Sequence, residues 1–389
     1  VDDGPEFDNN ENFIEAGKGL NFYTIDISLS SGNGQLIDEN NDGIFFTDLS
    51  NGLFNNWTEK VTAVRGKECN TFWIVSAVNN SFYAFKIDAS GVNLTPTISS
   101  VINSNERRGY LKLSPDGSKL AVANQSSSAI LYDFNNETGQ VDTATSQILL
   151  NGGFNEGQPY GVEFSIDSKK LYISSVSQFR ETMEDTAVDY RLFQFDLTAE
   201  DINRSKEIIH QQLAGSADYP QGGFRGALQL APNGKIYATI PLAYEDLDND
   251  ARPNGDAPFL DVIENPNEEA SNVIFRKNAI DLKGRFATQG LPPFISSLLL
   301  PVEIIDSDTN TSINNKNLIF CIGQNKKIIT EDVNGINKTY QWTFNDGKTS
   351  SIISTDEDLR LTDLQITDNG TYFLKITLED ECGNNIEYN

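Results

Sequence analysis

The stretch GYLKLSPDGSKLAVA, residues 109–123, recurs twice, as YGVEFSIDSKKLYIS at 160–174 and as GALQLAPNGKIYAT at 226–239. Apolar and polar residues alternate on both sides of a short turn rich in Asp, Asn and Gly, which is typical of a β-hairpin. Two of the turns contain Asp-Gly or Asn-Gly, whose residues tolerate a positive φ, while IDSK keeps the Asp and lacks the Gly. The repeat therefore predicts three copies of one strand–turn–strand unit.

Each hairpin is followed by two more alternating segments, so that one repeat contains four strands. A similar unit precedes them at 59–88, and the corresponding positions Val64, Ser114, Ser165 and Ala231 are 50, 51 and 66 residues apart. Four strands at such a period are typical of the blades of a β-propeller. We predict an all-β fold with a propeller over residues 19–300, in which four complete blades are visible. The third strands of three repeats are expected at 129–134, 191–197 and 259–265.

The propeller region looks incomplete at its N-terminal side. We interpret residues 1–18 as an acidic segment of an unfinished blade and 19–41 as two additional strands. The segment GRFATQGLPPFISSLLL (284–300) is expected to start a fifth blade. An unclosed propeller leaves an open sheet edge, so we expect one or more blades upstream of Val1.

The composition excludes several classes of partner and site. The formal net charge is −27, which disfavours nucleic acids and anionic membrane surfaces. No apolar run is long enough to span a bilayer as a helix. His210 is the one histidine, which excludes most sites built from several imidazoles, and its alternating context predicts a solvent-facing strand residue.

A second domain is expected after a polar linker at 301–316, over residues 317–389. Leu364-x-x-x-Asp368-x-Gly370-x-Tyr372 resembles the tyrosine corner of immunoglobulin-like sandwiches, and Trp342 resembles their buried tryptophan. The resemblance implies an Ig/PKD-like β-sandwich. The antibody pattern is not complete, because no cysteine lies two residues after Tyr372.

Three cysteines leave two readings of the second domain. Cys321 and Cys382 lie near its two ends, and we predict a disulfide between them rather than two buried thiols. Such a bond would require an oxidising, extracytoplasmic compartment. Cys69 has no evident partner in the sequence.

The serial order of the blade segments, ending in LDVIENPN and QGLPPFISS, resembles the propeller region of gliding-motility-associated proteins over roughly residues 19–300. These are large secreted proteins that use the type IX secretion system. The resemblance implies an extracellular or cell-surface protein whose partners are the type IX translocon and the surface-attachment machinery. It also implies that the chain is the interior of a longer protein, with a C-terminal sorting domain beyond Asn389.

Two acidic loops carry oxygen atoms at alternate positions, as calcium loops do. The loop DENNDG (38–43) has the Gly of a sharp turn, but Leu49 occupies the twelfth position, where an EF-hand has Glu. An acidic β-turn is the alternative for both loops. We name no certain cofactor, and Ca²⁺ is the one candidate. Its candidate ligands are Asp38, Asn40 and Asp42 in the first loop and Asp246, Asp248, Asp250 and Asp256 in the second.

Two further sets of residues are candidates. Thr143 and Thr186 lie in Asp-Thr-Ala triplets, which resemble the O-glycosylation acceptor of exported proteins in these bacteria. Arg108, Glu163 and Arg225 lie near the starts of first strands and could line a central channel, with salt bridges between blades as the alternative.

The sequence predicts a non-enzymatic surface protein that acts in adhesion or gliding through its propeller loops, with glycans or surface proteins as further partners. It contains no G-x-S-x-G motif, Gly-rich phosphate loop or His cluster. Two alternatives remain: a propeller enzyme such as a lactonase-like hydrolase, and a structural accessory of the secretion or gliding machinery.

Overall fold

The computed structural model describes residues 6–7, 13–15, 19–38, 42–101, 106–125, 127–152, 156–176, 189–213, 225–241, 257–299, 302, 304–309, 311–313, 318–330, 333, 335–380 and 382–388. Its regular structure is antiparallel β-sheet with six short 3-10 helices, and no α-helix occurs in these ranges. The all-β prediction is confirmed. The chain divides into two compact units, Val1–Leu299 and Leu300–Asn389.

Short strand pairs form the N-terminal part of the first unit. β1 pairs with β2, β3 with β6, and β4 with β5, each over two or three residues. A 3-10 helix at Ser30–Gly32 separates β4 from β5, and another at Phe54–Asn56 precedes the first long strand. The strands are β1 (Glu6–Phe7), β2 (Phe13–Glu15), β3 (Asn21–Phe22), β4 (Ile25–Asp26), β5 (Gln35–Leu36) and β6 (Thr47–Asp48).

Four larger sheets follow in chain order, and each is built from consecutive strands. The first contains β7 (Trp57–Arg65), β8 (Phe72–Val78), β9 (Ser81–Asp88), β10 (Gly91–Val92) and β11 (Thr97–Ser100), the last two both paired with β9. The second contains β12 (Leu111–Leu113), β13 (Lys119–Ala123), β14 (Ala129–Asn135) and β15 (Gln140–Leu150). The third contains β16 (Gln158–Phe164), β17 (Lys170–Val176), β18 (Tyr190–Asp196) and β19 (Glu207–Gln212). The fourth contains β20 (Leu228–Leu230), β21 (Ile236–Ala238), β22 (Phe259–Ile263) and β23 (Phe275–Asp281).

Three of these sheets have the four strands predicted for each repeat, and the first has five. β14, β18 and β22 start within one residue of the predicted third strands. The predicted fifth unit is wrong for the described part of 284–300. That part contains one isolated bridge, Ala257 to Ala287, and a 3-10 helix at Ser296–Leu298. Two further 3-10 helices lie at Ile202–Ser205 and Ala270–Asn272.

Neighbouring sheets share hydrophobic cores, which explains why the repeat is apolar on both faces. Val75 of the first sheet and Val122 of the second belong to one core, and Ala121 of the second and Ile173 of the third belong to another. A third core joins the third and fourth sheets. The sheets are therefore packed in series, and each middle sheet buries both its faces.

The hairpin turns show why the repeat needs its turn residues. Gly117 and Gly234 adopt positive φ values of 71° and 73°, and Ser168 adopts 62° at the equivalent place in the turn that lacks Gly. In the second sheet, Ser114 Oγ donates to Asp116 Oδ1 at 2.6 Å. Asp116 and its counterparts are thus turn-forming residues.

The second unit contains two four-stranded sheets around one core. The prediction of a linker at 301–316 is wrong, because the strands Ile304–Asp306 and Thr311–Ser312 in that range pair with each other, and the first also pairs with Lys326–Thr330. Trp342 is buried, and Tyr372 Oη donates to Asp368 O at 2.9 Å, as a tyrosine corner requires. A 3-10 helix lies at Ile366–Asp368. The strands are β24 (Ile304–Asp306), β25 (Thr311–Ser312), β26 (Lys326–Thr330), β27 (Ile336–Asn345), β28 (Ser350–Ser354), β29 (Leu359–Leu361), β30 (Thr371–Glu379) and β31 (Asn385–Tyr388).

Candidate functional site

Polar residues occupy one equivalent position on the first strands of the four large sheets. Lys112 lies between two leucines of β12, and Glu163 and Gln229 take the same place in β16 and β20. Thr62 occupies the matching level of β7, where its hydroxyl accepts from Leu113 N–H at 3.2 Å. We call these four residues the first-strand column, and all four are buried.

The first-strand column satisfies its own charges and hydrogen bonds. Lys112 Nζ donates to Glu163 Oε2 at 2.8 Å and to Gln229 Oε1 at 2.7 Å, which ties together three sheets. Glu163 also accepts from Leu230 N–H at 2.9 Å and Phe164 N–H at 3.0 Å. Its side chain is 0% exposed, so this predicted channel residue is part of a closed ion pair rather than a solvent-lined wall.

A second group of polar side chains lies at the N-terminal ends of the same strands. Glu59 Oε1 accepts from Gly109 N–H at 2.8 Å and from Tyr160 Oη–H at 3.2 Å. The rings of Tyr110 and Tyr160 meet edge to face, with centroids 5.5 Å apart. Burial raises the pKa of Tyr110 to about 12 and raises that of Tyr160 further, so both hydroxyls stay protonated at neutral pH.

Arg225 completes this group. Its guanidinium lies 5.8 Å from the ring centroid of Tyr160 and donates to Gln289 Oε1 at 3.2 Å. With its amide oxygen turned towards Arg225, Gln125 accepts from two guanidinium nitrogens of that arginine at 3.1 Å each. We call Glu59, Tyr110, Tyr160 and Arg225 the end cluster.

The residues after the bridge at Ala287 run across the first strands, and we call 287–297 the crossing segment. Gln289 O accepts from Ala227 N–H of the fourth sheet at 2.9 Å, and Leu291 N–H approaches Tyr110 Oη at 3.4 Å. Farther on, Ser296 Oγ donates to Leu113 O at 3.2 Å, and Ser297 Oγ accepts from Arg65 N–H at 2.8 Å. The crossing segment thus connects the fourth sheet with the second and the first.

Lys60 is an almost fully buried cation beside the end cluster. Its ammonium donates to the backbone carbonyl of Glu106. A side chain at position 109, where the chain has Gly, would contact the Lys60 side chain. Burial lowers the pKa of Lys60 to about 7, although Glu59 and Glu106 act in the opposite direction. Arg108, the third predicted channel residue, is exposed, and its carbonyl accepts from Gln125 N–H at 3.3 Å.

The structure brings Arg225 into the end cluster, Glu163 into the column and Arg108 to the surface, so the three predicted channel residues do not form one site. Lys112, Tyr110 and Tyr160 were missed by the sequence analysis. The signal for Lys112 was available, since a polar residue stands between two apolar ones in LKL, VEF and LQL.

The first calcium loop is a turn of acidic residues in its described part. Asp38 accepts from Asp42 N–H at 3.2 Å and from Gly43 N–H at 2.7 Å, and Asp42 accepts from Ile44 N–H at 2.8 Å. Among the described residues there is no group of three or more His, Cys, Asp or Glu side chains that could hold a metal. Asn40, Asp246, Asp248, Asp250 and Asp256 lie outside the described residues, so the calcium hypothesis stays a prediction.

Of the two predicted glycosylation residues, one lies within the described structure. Thr143 is half-buried within β15, and Thr186 lies outside the described residues.

His210 is half-buried on β19 rather than solvent-facing, and its ring stacks on Phe275 at 4.2 Å between centroids. Burial lowers the pKa of His210, which favours a neutral imidazole.

The predicted disulfide between Cys321 and Cys382 is wrong. Cys321 is a free, exposed thiol, while Cys69 and Cys382 are both in the disulfide form. Sequence spacing alone cannot choose between cysteines, because pairing depends on Cα separations of roughly 4–7 Å that only the fold supplies.

In the ranges that the structure describes, no helix has the length and apolar character needed to cross a membrane.

No protein-family model and no curated protein matches this sequence. One similar solved structure is a "putative 6-phosphogluconolactonase" of Bacteroides uniformis, with 13% identity and a TM-score of 0.34 over 58% of this chain and 57% of that one. Another, of the same description from Bacteroides fragilis, has 15% identity and a TM-score of 0.33 over 75% and 68%. A protein of unknown function from Bacteroides thetaiotaomicron has 11% identity and a TM-score of 0.33 over 85% and 68%. The chain spans little more than half the length of the first of these proteins.

Proposed function

We propose that this chain is a non-enzymatic surface protein, exported by the type IX system, that binds its partners at the end-cluster side of a β-propeller. An Ig/PKD-like sandwich follows as a spacer or second contact. The role is adhesion or gliding motility, with attachment through the surface machinery of that system.

The propeller proposal is supported by the way the large sheets follow one another. Each packs on the next through a shared core, and the first strands carry one column of bonded polar residues. For the second unit, the support is the buried Trp342 and the hydrogen bond from Tyr372 to Asp368.

The observation that carries the non-enzymatic proposal is the closed first-strand column. The two charged residues of the column, Lys112 and Glu163, are buried and form their hydrogen bonds with each other and with neighbouring strands. A catalytic acid or base must reach a substrate proton within hydrogen-bond distance. This ion pair instead fixes the positions of three sheets, so that binding is left to the ends and loops.

Export is supported by the disulfide form of Cys69 and Cys382, because disulfides persist mainly in oxidising compartments. The resemblance of the repeats to gliding-motility-associated proteins supplies the proposed route. Protease treatment of intact cells that express the tagged protein tests the surface location, since a surface protein is digested while a cytoplasmic marker survives. Loss of that digestion in cells that lack the type IX translocon tests the route. Protection in intact cells would overturn the surface location.

The enzyme alternative is tested with the purified chain on a panel of lactones and esters, with and without added divalent metal ions. We expect no turnover above that of heat-denatured protein. Turnover that disappears in a Glu163→Gln variant that remains folded would replace the binding proposal with the hydrolase.

A further inference from the structure

Arginines gather around the end cluster in a chain that is strongly acidic overall. Arg107 and Arg108 are exposed and Arg225 is half-buried. Arg107 O accepts from Glu59 N–H at 3.0 Å, and Gln125 links Arg108 to Arg225 through its backbone N–H and its side-chain oxygen. We call Arg107, Arg108 and Arg225 the arginine surface.

The carboxylates next to the arginine surface do not cancel it. Among the residues that the structure describes, Glu59 and Glu106 are the carboxylates beside the three arginines, whereas the whole chain has a net charge of −27. Glu59 Oε1 is already occupied by hydrogen bonds from the N–H of Gly109 and the hydroxyl of Tyr160. A polyanion would be repelled by most of the molecule and attracted here, which confines its binding to one place.

The geometry of the arginines suits planar anions. Arg225 is held over the Tyr160 ring by two glutamine side chains, and Arg107 Nη2 donates to Asn55 O at 2.9 Å. A guanidinium presents parallel N–H groups that bind both oxygens of a carboxylate, which a lysine cannot do. Because some donors are already used to position the side chains, less rotamer entropy is lost on binding.

One exposed aromatic residue lies beside the residue that Arg107 contacts. Phe54 precedes Asn55, the residue that accepts from Arg107, and its side chain is 42% exposed. The C–H face of a sugar ring is apolar and packs on an aromatic face, while its carboxylate remains free to meet an arginine. A carboxylate and an apolar ring face on one repeating unit match this combination of residues.

We propose that the arginine surface and Phe54 bind an anionic polysaccharide through the carboxylates of its uronic acid units. The proposal rests on the proposed binding function and names its ligand class. The arginines contact the carboxylates, and Phe54 packs against a sugar ring.

The test measures binding of the full chain to polygalacturonate by calorimetry at two salt concentrations, with dextran sulfate as a sulfated polyanion that has no carboxylate and dextran as its neutral counterpart. We expect polygalacturonate to bind, dextran not to bind, dextran sulfate to bind more weakly, and added salt to weaken the interaction. The double variant Arg107→Gln/Arg108→Gln should weaken polygalacturonate binding about tenfold or more, since each hydrogen bond to a charged group is lost. Phe54→Ala should weaken binding with an unchanged salt dependence.

A matched control variant removes the same number of positive charges at the other end of the third sheet. Lys169 lies in the turn before β17, and Arg204, with a side chain 89% exposed, lies in the 3-10 helix before β19. Lys169→Gln/Arg204→Gln should bind polygalacturonate as the unchanged chain does. Both double variants should keep the melting temperature, because exposed substitutions alter stability by less than about 0.5 kcal/mol.

Four results would overturn the inference: equal losses in the two double variants, dextran sulfate binding without polygalacturonate binding, binding of dextran, or no binding at all. If none of these polymers binds, the proposed binding function would require a different class of ligand. Cleavage of polygalacturonate would instead contradict the non-enzymatic proposal, so the two failures are distinguishable.

Discussion

The first-strand column and the end cluster lie on the same strands, and both are built from charged and amide side chains. In the column, Glu163 is fully buried and paired with Lys112. In the end cluster, Glu59 and Arg225 are half-buried and bonded to neighbours at the edge of the sheets. The same residue type on equivalent strands therefore serves different purposes, and burial rather than chemical type distinguishes a scaffold residue from a surface residue.

The difference has a physical origin in desolvation. A buried ion pair loses hydration that its mutual attraction only roughly offsets, so it contributes position more than stability. At the ends of the strands water still reaches one side, and a charge can be presented there without that cost. Removing a side chain should accordingly be expensive in the column and inexpensive at the surface.

The largest effect is expected in the column. Glu163→Ala leaves Lys112 buried without its carboxylate and should lower the free energy of unfolding by about 3–5 kcal/mol. Urea titration followed by tryptophan fluorescence measures the change. The exposed pair Lys67–Glu137, whose side chains are 65% and 56% exposed, is the control, and Glu137→Ala should cost less than about 1 kcal/mol.

A second variant separates the pair from its packing. Replacing both partners, Lys112→Met with Glu163→Leu, should recover most of the stability lost in Glu163→Ala, because no unpaired charge remains. If the double variant is as unstable as the single one, the hydrogen bonds to Gln229 and Leu230 matter more than the ion pair.

Lys60 gives the next largest effect, and it depends on pH. Its folded pKa of about 7 lies below the value of 10.5 expected in the unfolded chain, so the unfolded state binds the extra proton between those values. Stability relative to a Lys60→Met variant should therefore rise from pH 7 towards pH 9, with a slope of at most about 1.4 kcal/mol per pH unit. Below pH 7 the difference should level off.

The measurement is urea unfolding of both proteins at several pH values, compared as a difference so that the general effect of the acidic chain cancels. Lys67→Met, at an exposed lysine, serves as the control for the loss of one surface charge. A pH-independent difference for Lys60→Met would show that this ammonium remains charged when buried.

The sheets could be predicted because alternation and turn residues are local signals. The turns at Gly117, Ser168 and Gly234 and the long strands agree with the sequence analysis. The strand Ile304–Asp306 was missed, since three residues are too few to show alternation and it is held by pairing with β26. The crossing segment was predicted to start a fifth blade, whereas Ser296 and Ser297 bond through their side chains to strands far away in the sequence.

The sites were harder to predict than the sheets. Arg225 was identified correctly as a residue near the start of a first strand, but its partners Gln125 and Gln289 are 100 and 64 residues away in the chain. Likewise, Lys112 and Gln229 touch only because three sheets converge. Contacts of this kind depend on how sheets pack, which no local pattern specifies.

A smaller effect is expected within the end cluster. Tyr160→Phe removes the hydroxyl that donates to Glu59, while the N–H of Gly109 still serves the same carboxylate oxygen. The loss in free energy of unfolding should be about 1 kcal/mol, measured by urea titration. A loss as large as that of Glu163→Ala would erase the distinction between cluster and column.

The smallest effect should come from Arg108, whose side chain is exposed although its backbone bonds Gln125. Arg108→Gln keeps that backbone bond and removes only a solvated charge, so stability should change by less than about 0.5 kcal/mol. Thermal unfolding measures it, with the exposed Arg204→Gln as the control at the other end of the third sheet. A clear destabilisation confined to Arg108→Gln would mean that its guanidinium stabilises the end cluster. Exposed residues, and not only half-buried ones, would then belong to the scaffold rather than to the binding surface.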